Sequence, residues 1–299
     1  MKRVVVMVAI AVILCLLVGM SVLPNSASAQ GKSEILLYYG NGGYDPGGIS
    51  DYYDLQARYE SQGYIVNYTD VWPSDFSALC LIILITPGDD NDDGTYYFST
   101  AQVNELEGFI LADGRLVVLG DYNGIFGINT VNNLLGNLGV DITQNSDEHR
   151  STFSSNPATD ITTDQITNGM SSMQFASSSS LDLSGDAKSL VREPTDGLTL
   201  IAVDQIAGAP ARPCYDVVVS GDSNIMTDNW FDDGDGDNLM FIDNLAGCCD
   251  PYTPMPTIPP PPSPVPTLSQ WGMIGMAMVL AACLVWSVRR RWVTSAGKS

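Results

Sequence analysis

The chain has 299 residues, 13 of them basic and 34 acidic, for a formal net charge of -21. An apolar fraction of 45% excludes a disordered chain, and the length allows one or two domains. The acid excess excludes a nucleic-acid binder held by phosphate contacts, and a single histidine excludes most imidazole-based metal and triad chemistry. The charges are segregated. Residues Gln30 to Tyr252 hold 7 of the 13 basic residues and all 34 acidic ones, a net charge of -27, which favours solubility and attracts cations.

Residues 1–29 read as a secretory signal peptide. Lys2-Arg3 is the charged start, Val4–Leu23 the apolar run, and Ala27-Ser28-Ala29 the cleavage pattern for signal peptidase. An uncleaved anchor is the alternative, and in either case the acidic middle is exported.

Residues 30–250 are expected to form one α/β domain. Ile35–Tyr39 reads as a strand that ends in Gly40-Asn41-Gly42-Gly43. Ser50 can cap a helix with Tyr52, Leu55 and Tyr59 on its apolar face and Gly63 past its end. Tyr64–Tyr68 alternates like a strand, and Leu79–Thr86 is a continuous apolar run typical of a strand buried on both faces. Ser99 to Gln102 is a capping box opening a helix with Val103, Leu106, Phe109 and Ile110 inward, stopped by Gly114. Arg115–Leu119 is the next buried strand, and Ile128, Val131, Leu135 and Leu138 space out a helix. Asp141–Pro213 reads as loops and partly antiparallel edge strands, with strand-like pieces at Met173–Phe175, Ser189–Arg192 and Leu198–Val203. Tyr215–Val219 returns to a buried strand, and Asp237–Leu245 reads as the closing helix. The alternation predicts a doubly wound, mostly parallel sheet with helices on both faces.

Residues 251–266 hold nine of the 17 prolines, a stiff extended spacer. Met273–Val288 then runs apolar to Arg289-Arg290-Arg291, and from Trp271 there are 18 residues, enough for a transmembrane helix. The arginines mark the cytoplasmic side, with 293–299 as a cytoplasmic tail and the acidic domain outside. The segment 265–292, with Val265, Pro266, Thr267, Leu268, Trp271, Gly272 and Arg289, Arg290 and Arg291, resembles the IPTL-type C-terminal sorting domain of Gram-negative bacteria. Val265 replaces the usual isoleucine. The resemblance implies recognition by an exosortase-like membrane protease and delivery to the envelope or cell surface. A plain single-span inner-membrane tether is the alternative.

The order of elements, with the motifs R-L-V-V-L-G-D-Y-N-G and V-V-V-S-G-D-S-N, resembles the class I glutamine amidotransferase-like, flavodoxin-like fold, and in particular its non-catalytic exported relatives. In catalytic members the strand corresponding to Arg115–Leu119 leads into a G-x-C-x-G elbow. Here the turn reads Gly120-Asp121-Tyr122-Asn123-Gly124, with Tyr122 in place of the thiol. A phenol of ordinary pKa is a poor nucleophile near neutrality, and His149 lies in a polar stretch rather than after a late strand. The resemblance therefore implies a binding domain without catalysis. A surface hydrolase using Asp121 with Asp222 is one alternative, and a structural envelope component is another.

Ligands of open α/β sheets bind at the carboxyl ends of the strands, which makes Gly42, Gly43, Asp121, Tyr122, Asp222 and Ser223 the candidate ligand edge. Ordinary tight turns with solvated carboxylates would use the same residue types. Asp89, Asn91 and Asp93 fit the first half of a calcium loop, and Asp233, Asp235 and Asp237 repeat the spacing. The twelfth positions are Thr100 and Asn244 rather than glutamate, so any calcium binding is expected to be weak, and no other cofactor is expected. Cys214 is expected to pair with Cys248 or Cys249, leaving Cys80 free beside a buried strand.

Overall fold

The computed structural model describes residues 32–43, 52–88, 96–122, 127–149, 157–209, 214–227, 237–247 and 249. The chain divides into two compact units, Met1–Tyr252 and Thr253–Ser299, and all described residues lie in the first.

Five strands form the parallel half of one sheet: β1 (Glu34–Tyr38), β2 (Ile65–Thr69), β3 (Leu79–Ile85), β4 (Arg115–Leu119) and β10 (Val217–Ser220). They run in the order β2-β1-β3-β4-β10, the order of flavodoxin-like sheets. Residues of β3, β4 and β10 are buried throughout, as their unbroken apolar runs require. Helices α1 (Tyr53–Ser61) and α4 (Asn238–Gly247) cover one face through Leu55, Tyr59, Phe241, Ile242 and Leu245. Helices α2 (Thr100–Leu111) and α3 (Ile128–Leu138) cover the other through Leu106, Phe109, Ile110, Leu134 and Leu135. The sheet is thus doubly wound, as the alternation predicts.

The other half departs from the expected edge pieces. Strands β5 (Ile142–Gln144), β6 (Asp160–Ile161), β7 (Leu181–Leu183), β8 (Lys188–Arg192) and β9 (Thr199–Asp204) extend the same ten-stranded sheet with antiparallel pairing. β9 is wholly buried and lies against β10, so it is an interior strand. Met173–Phe175 forms no strand; Met173 makes an isolated bridge to Ala158.

Local chemistry explains the boundaries. Ser99 accepts from Gln102 N while the Gln102 side chain accepts from Ser99 N, the capping box predicted for α2. At the far end the left-handed residue is Asp113 (φ 72°) rather than Gly114. Gly114 is needed for space, because a Cβ there would lie 2.2 Å from the Phe109 ring. The cap of α1 is Tyr52, without a side-chain hydrogen bond; Ser50 lies outside the described residues.

Cys80 is not free. It is disulfide-bonded to Cys249, with Cα atoms 5.2 Å apart, because α4 returns the chain to the start of β3. Cys214 is disulfide-bonded as well, but not to Cys249; Cys248 lies outside the described residues.

Candidate functional site at the carboxyl edge of the sheet

Parallel pairing brings the carboxyl ends of β1, β3, β4 and β10 to one edge. The turn after β4 supplies Asp121 and Tyr122, and the turn after β10 supplies Asp222 and Ser223. Because β4 and β10 are neighbours, the two turns meet. Ser223 Oγ donates to Asp121 Oδ2 at 2.8 Å, and Tyr122 N donates to Asp121 Oδ1 at 2.7 Å. Asp222 is 0% exposed, and each of its carboxylate oxygens accepts a backbone N–H, from Asn224 at 2.8 Å and from Ala176 at 2.6 Å. Asp121 is 3% exposed.

The electrostatics follow from this enclosure. Burial pushes the Asp121 carboxyl above the usual range, against the hydrogen bonds from Ser223 and Tyr122, and the charge of Glu148 adds to the rise. Burial pushes Asp222 higher still, and the neighbouring charge of Asp121 adds to it. The Tyr52 phenol is raised by burial and by the charges of Tyr68, Asp121 and Asp222, while a hydrogen bond with Ser223 opposes the rise. Asp121, Asp222, Ser223 and Tyr52 thus form one closed polar cluster, in which burial and like charge disfavour two ionised carboxylates.

The antiparallel half roofs this cluster. Ser179 Oγ and the Gln144 amide both donate to the Asp121 carbonyl, at 2.8 and 2.6 Å, and Ser179 N donates to the Gly221 carbonyl at 2.9 Å. Beside it, Asp147 accepts from Ser180 N and Ser180 Oγ and pairs with His149 Nε2 at 2.9 Å. Glu148 and Ser179 act on Asp121, whereas Asp147, His149 and Ser180 bond one another. The one imidazole is thus engaged with Asp147 rather than with the acid pair.

The remaining candidates lie elsewhere or are already engaged. Gly42 takes φ 74°, and a Cβ there would sit 2.6 Å from the Tyr96 ring; a Cβ on Gly43 would meet the carbonyls of Tyr39 and Ile85. These glycines admit the chain's own neighbours rather than a ligand. Tyr122 has no left-handed φ, while the buried, β-branched Thr86 at the end of β3 does, at 40°, a strained conformation at the same edge. Asp237 Oδ2 accepts from Ser171 N, Ser171 Oγ and Ser172 N, and these bonds hold its pKa low against burial. Asp89, Asn91, Asp93, Asp233 and Asp235 lie outside the described residues, as do both chain ends with Ala27, Ala29 and the sorting residues. Among the described residues no cluster of three metal-ligating side chains occurs, and no helix is long and apolar enough to cross a membrane.

Sequence reasoning missed Tyr52, Gln144, Ala176, Ser179 and the Asp147–His149 pair. Ala176 and Ser179 lie in a serine-rich stretch that reads as a solvated loop, and its one sequence signal is its enclosure between apolar Phe175 and Leu181.

Comparison with known proteins bears on both parts of the chain. Residues 263–291 match the IPTL-CTERM motif. That match supports a C-terminally sorted, exported envelope protein. No curated protein matches the chain significantly. Among solved structures, the mmIFT52 N-terminal domain superposes with a TM-score of 0.56 at 14% identity, over 73% of this chain and 97% of that domain. The likeness is one of fold alone. A ThuA-like protein from Bacteroides uniformis ATCC 8492 gives 0.44 at 12% identity, over 76% of this chain and 94% of its own. Alpha-L-fucosidase isoenzyme 2 from Paenibacillus thiaminolyticus gives 0.43 at 14% identity, over 72% and 32%. None of the three is named as a glutamine amidotransferase, so that expectation gains no support from them.

Proposed function

We propose that this protein is exported by its signal peptide, sorted through its tail by an exosortase-like protease, and retained at the envelope or surface of a Gram-negative bacterium. Its α/β domain serves there as a non-catalytic binding module of amidotransferase-like ancestry. The ligand is taken at the carboxyl edge of the sheet, on the surface around Tyr122 and Glu148, above the buried serines Ser178–Ser180. The observation that carries the reading is the state of Asp222, whose two oxygens are occupied by backbone N–H groups and wholly enclosed, which suits a structural tie between turns better than a reacting group. The residue at the elbow is Tyr122, and its backbone lacks left-handed strain.

Hydrolysis assays on the purified protein with amide, ester and glycoside panels test the reading, with no turnover expected. Turnover that disappears on Tyr122→Phe would overturn it. A second reading, a surface hydrolase using the acid pair, draws on the convergence of Asp121 and Asp222 in one cluster. Turnover abolished by Asp121→Asn, in a variant that still unfolds cooperatively, would favour that reading instead. Mass spectrometry of the mature protein from its native envelope tests the sorting half: termini near Gln30 and within residues 263–291 are expected.

A further inference from the structure

The Cys80–Cys249 disulfide stands where the exported domain hands over to its tail. Cys249 is the last described residue, three positions before the end of the compact unit at Tyr252, and the matched sorting motif begins at residue 263. A pull from the tail therefore reaches the Cys249 cross-link before α4. Without the disulfide, the first element to meet it is α4. That helix is held by apolar packing of Phe241, Ile242, Leu245 and Ala246 and by a few dispersed polar contacts. Arg58 pairs with Asp243 at 2.5 Å, Tyr64 OH donates to the Ala246 carbonyl at 2.9 Å, and Asn244 Nδ2 donates to the Ile166 carbonyl at 2.9 Å. Contacts spread along a terminal helix break one turn at a time, and chain ends are where local opening concentrates.

The disulfide routes the load differently. Cys80 is 1% exposed and lies in β3, which is hydrogen-bonded on both sides, to β1 and to β4. Force arriving through Cys249 Sγ passes into β3 and bypasses the chain from β4 to α4, which the cross-link closes into a loop. We propose that Cys80–Cys249 is the load-bearing anchorage of the tail: it carries tension from the attachment into β3 and shields α4 from being peeled off. The proposal rests on the reading of the tail as the attachment to the envelope. It also assigns a reason for joining the final turn to an interior strand, when Cys214 holds a separate disulfide of its own.

Force spectroscopy on the full chain in detergent, held by peptide tags at its two termini, tests this. A variant with Cys80, Cys214, Cys248 and Cys249 all replaced by alanine is compared with one in which Cys80 and Cys249 alone are restored. The fully substituted variant should show an early, low-force step of about 25 Å, the gain when residues 237–249 pass from roughly 1.5 Å per residue in the helix to roughly 3.5 Å per residue extended. The restored variant should lose that step and extend only at the main rupture. An early step persisting in the restored variant, or missing from the fully substituted one, would overturn the proposal. Should the substituted variant not fold, the native chain is pulled with and without dithiothreitol, and the step must appear with the reductant alone. These readings concern the domain's response to a pull, so a tail that proves not to be an attachment signal would leave them unchanged.

Discussion

The closed Asp121–Asp222 pair makes stability depend on pH in an unusual direction. Burial and mutual repulsion hold Asp121 up at about 6 and Asp222 at about 8 in the fold. An unfolded chain releases these protons near pH 4, so between about pH 4 and pH 8 the folded state binds more protons than the unfolded one. The stabilisation is therefore fully present below the unfolded values and is lost as pH rises through the folded ones. With about 1.4 kcal/mol per pH unit per proton, raising the pH from 5 to 8 removes roughly 4–5 kcal/mol through the pair as a whole. Asp147 and Asp237, held low by their serine partners, act with the opposite sign but complete their titration below this range. For a urea slope of about 2–3 kcal/mol/M, the combined loss moves the unfolding midpoint down by roughly 1.5–2 M. Urea titrations at pH 5, 6, 7 and 8 read this directly, and Asp222→Asn, which cannot ionise, should flatten the series. A midpoint that stays level or climbs from pH 5 to pH 8 in the native protein would refute the reasoning.

Other perturbations have equally definite outcomes. Gly221→Ala places a Cβ about 1.9 Å from the Ser179 carbonyl oxygen, a backbone atom that cannot step aside, so a loss of about 2–3 kcal/mol is expected in thermal unfolding. Ser99→Ala removes the side-chain acceptor for Gln102 N in the α2 capping box and should cost about 1 kcal/mol, whereas Ser61→Ala, at the exposed end of α1, should cost under about 0.5 kcal/mol. Arg58→Ala breaks the pair with Asp243, which is about two-fifths exposed on the arginine side; solvent screening limits the loss to about 1 kcal/mol, and 1 M salt should reduce the difference.

The parallel half of the fold was readable because its strands carry their own signal. Leu79–Ile85 and Val217–Val219 are apolar without interruption, and only burial on both faces tolerates that. The capping box of α2 was readable for the same reason, since both partners lie three residues apart. The antiparallel half was not. Ile142–Gln144 and Leu181–Leu183 are three residues each, too short for a period to declare itself, and the interior place of Thr199–Asp204 depends on a reversal next to β10 that no local pattern announces. Gly114 signals the end of α2 for a reason the sequence hides, the ring of Phe109 rather than a left-handed backbone. At the site, Asp121 and Asp222 stood out because each follows a buried strand, but the donors that close over them, Ala176 and the roof of Ser179, come from far along the chain. Disulfide connectivity is likewise set by folding in space, and the partner of Cys80 lies 169 positions away.

The reversal of direction at β9 has a consequence for what the molecule offers its surroundings. An all-parallel sheet leaves a trough beyond its strand tips, where visiting molecules settle. Here the returning chain lies across that trough and hydrogen-bonds its floor, so the lodging is taken by a resident. A visitor meets the outside of that resident, a polar rind that includes Ser146, Glu148 and His149, and its grip can diversify by changing the rind while the framework underneath stays as it is.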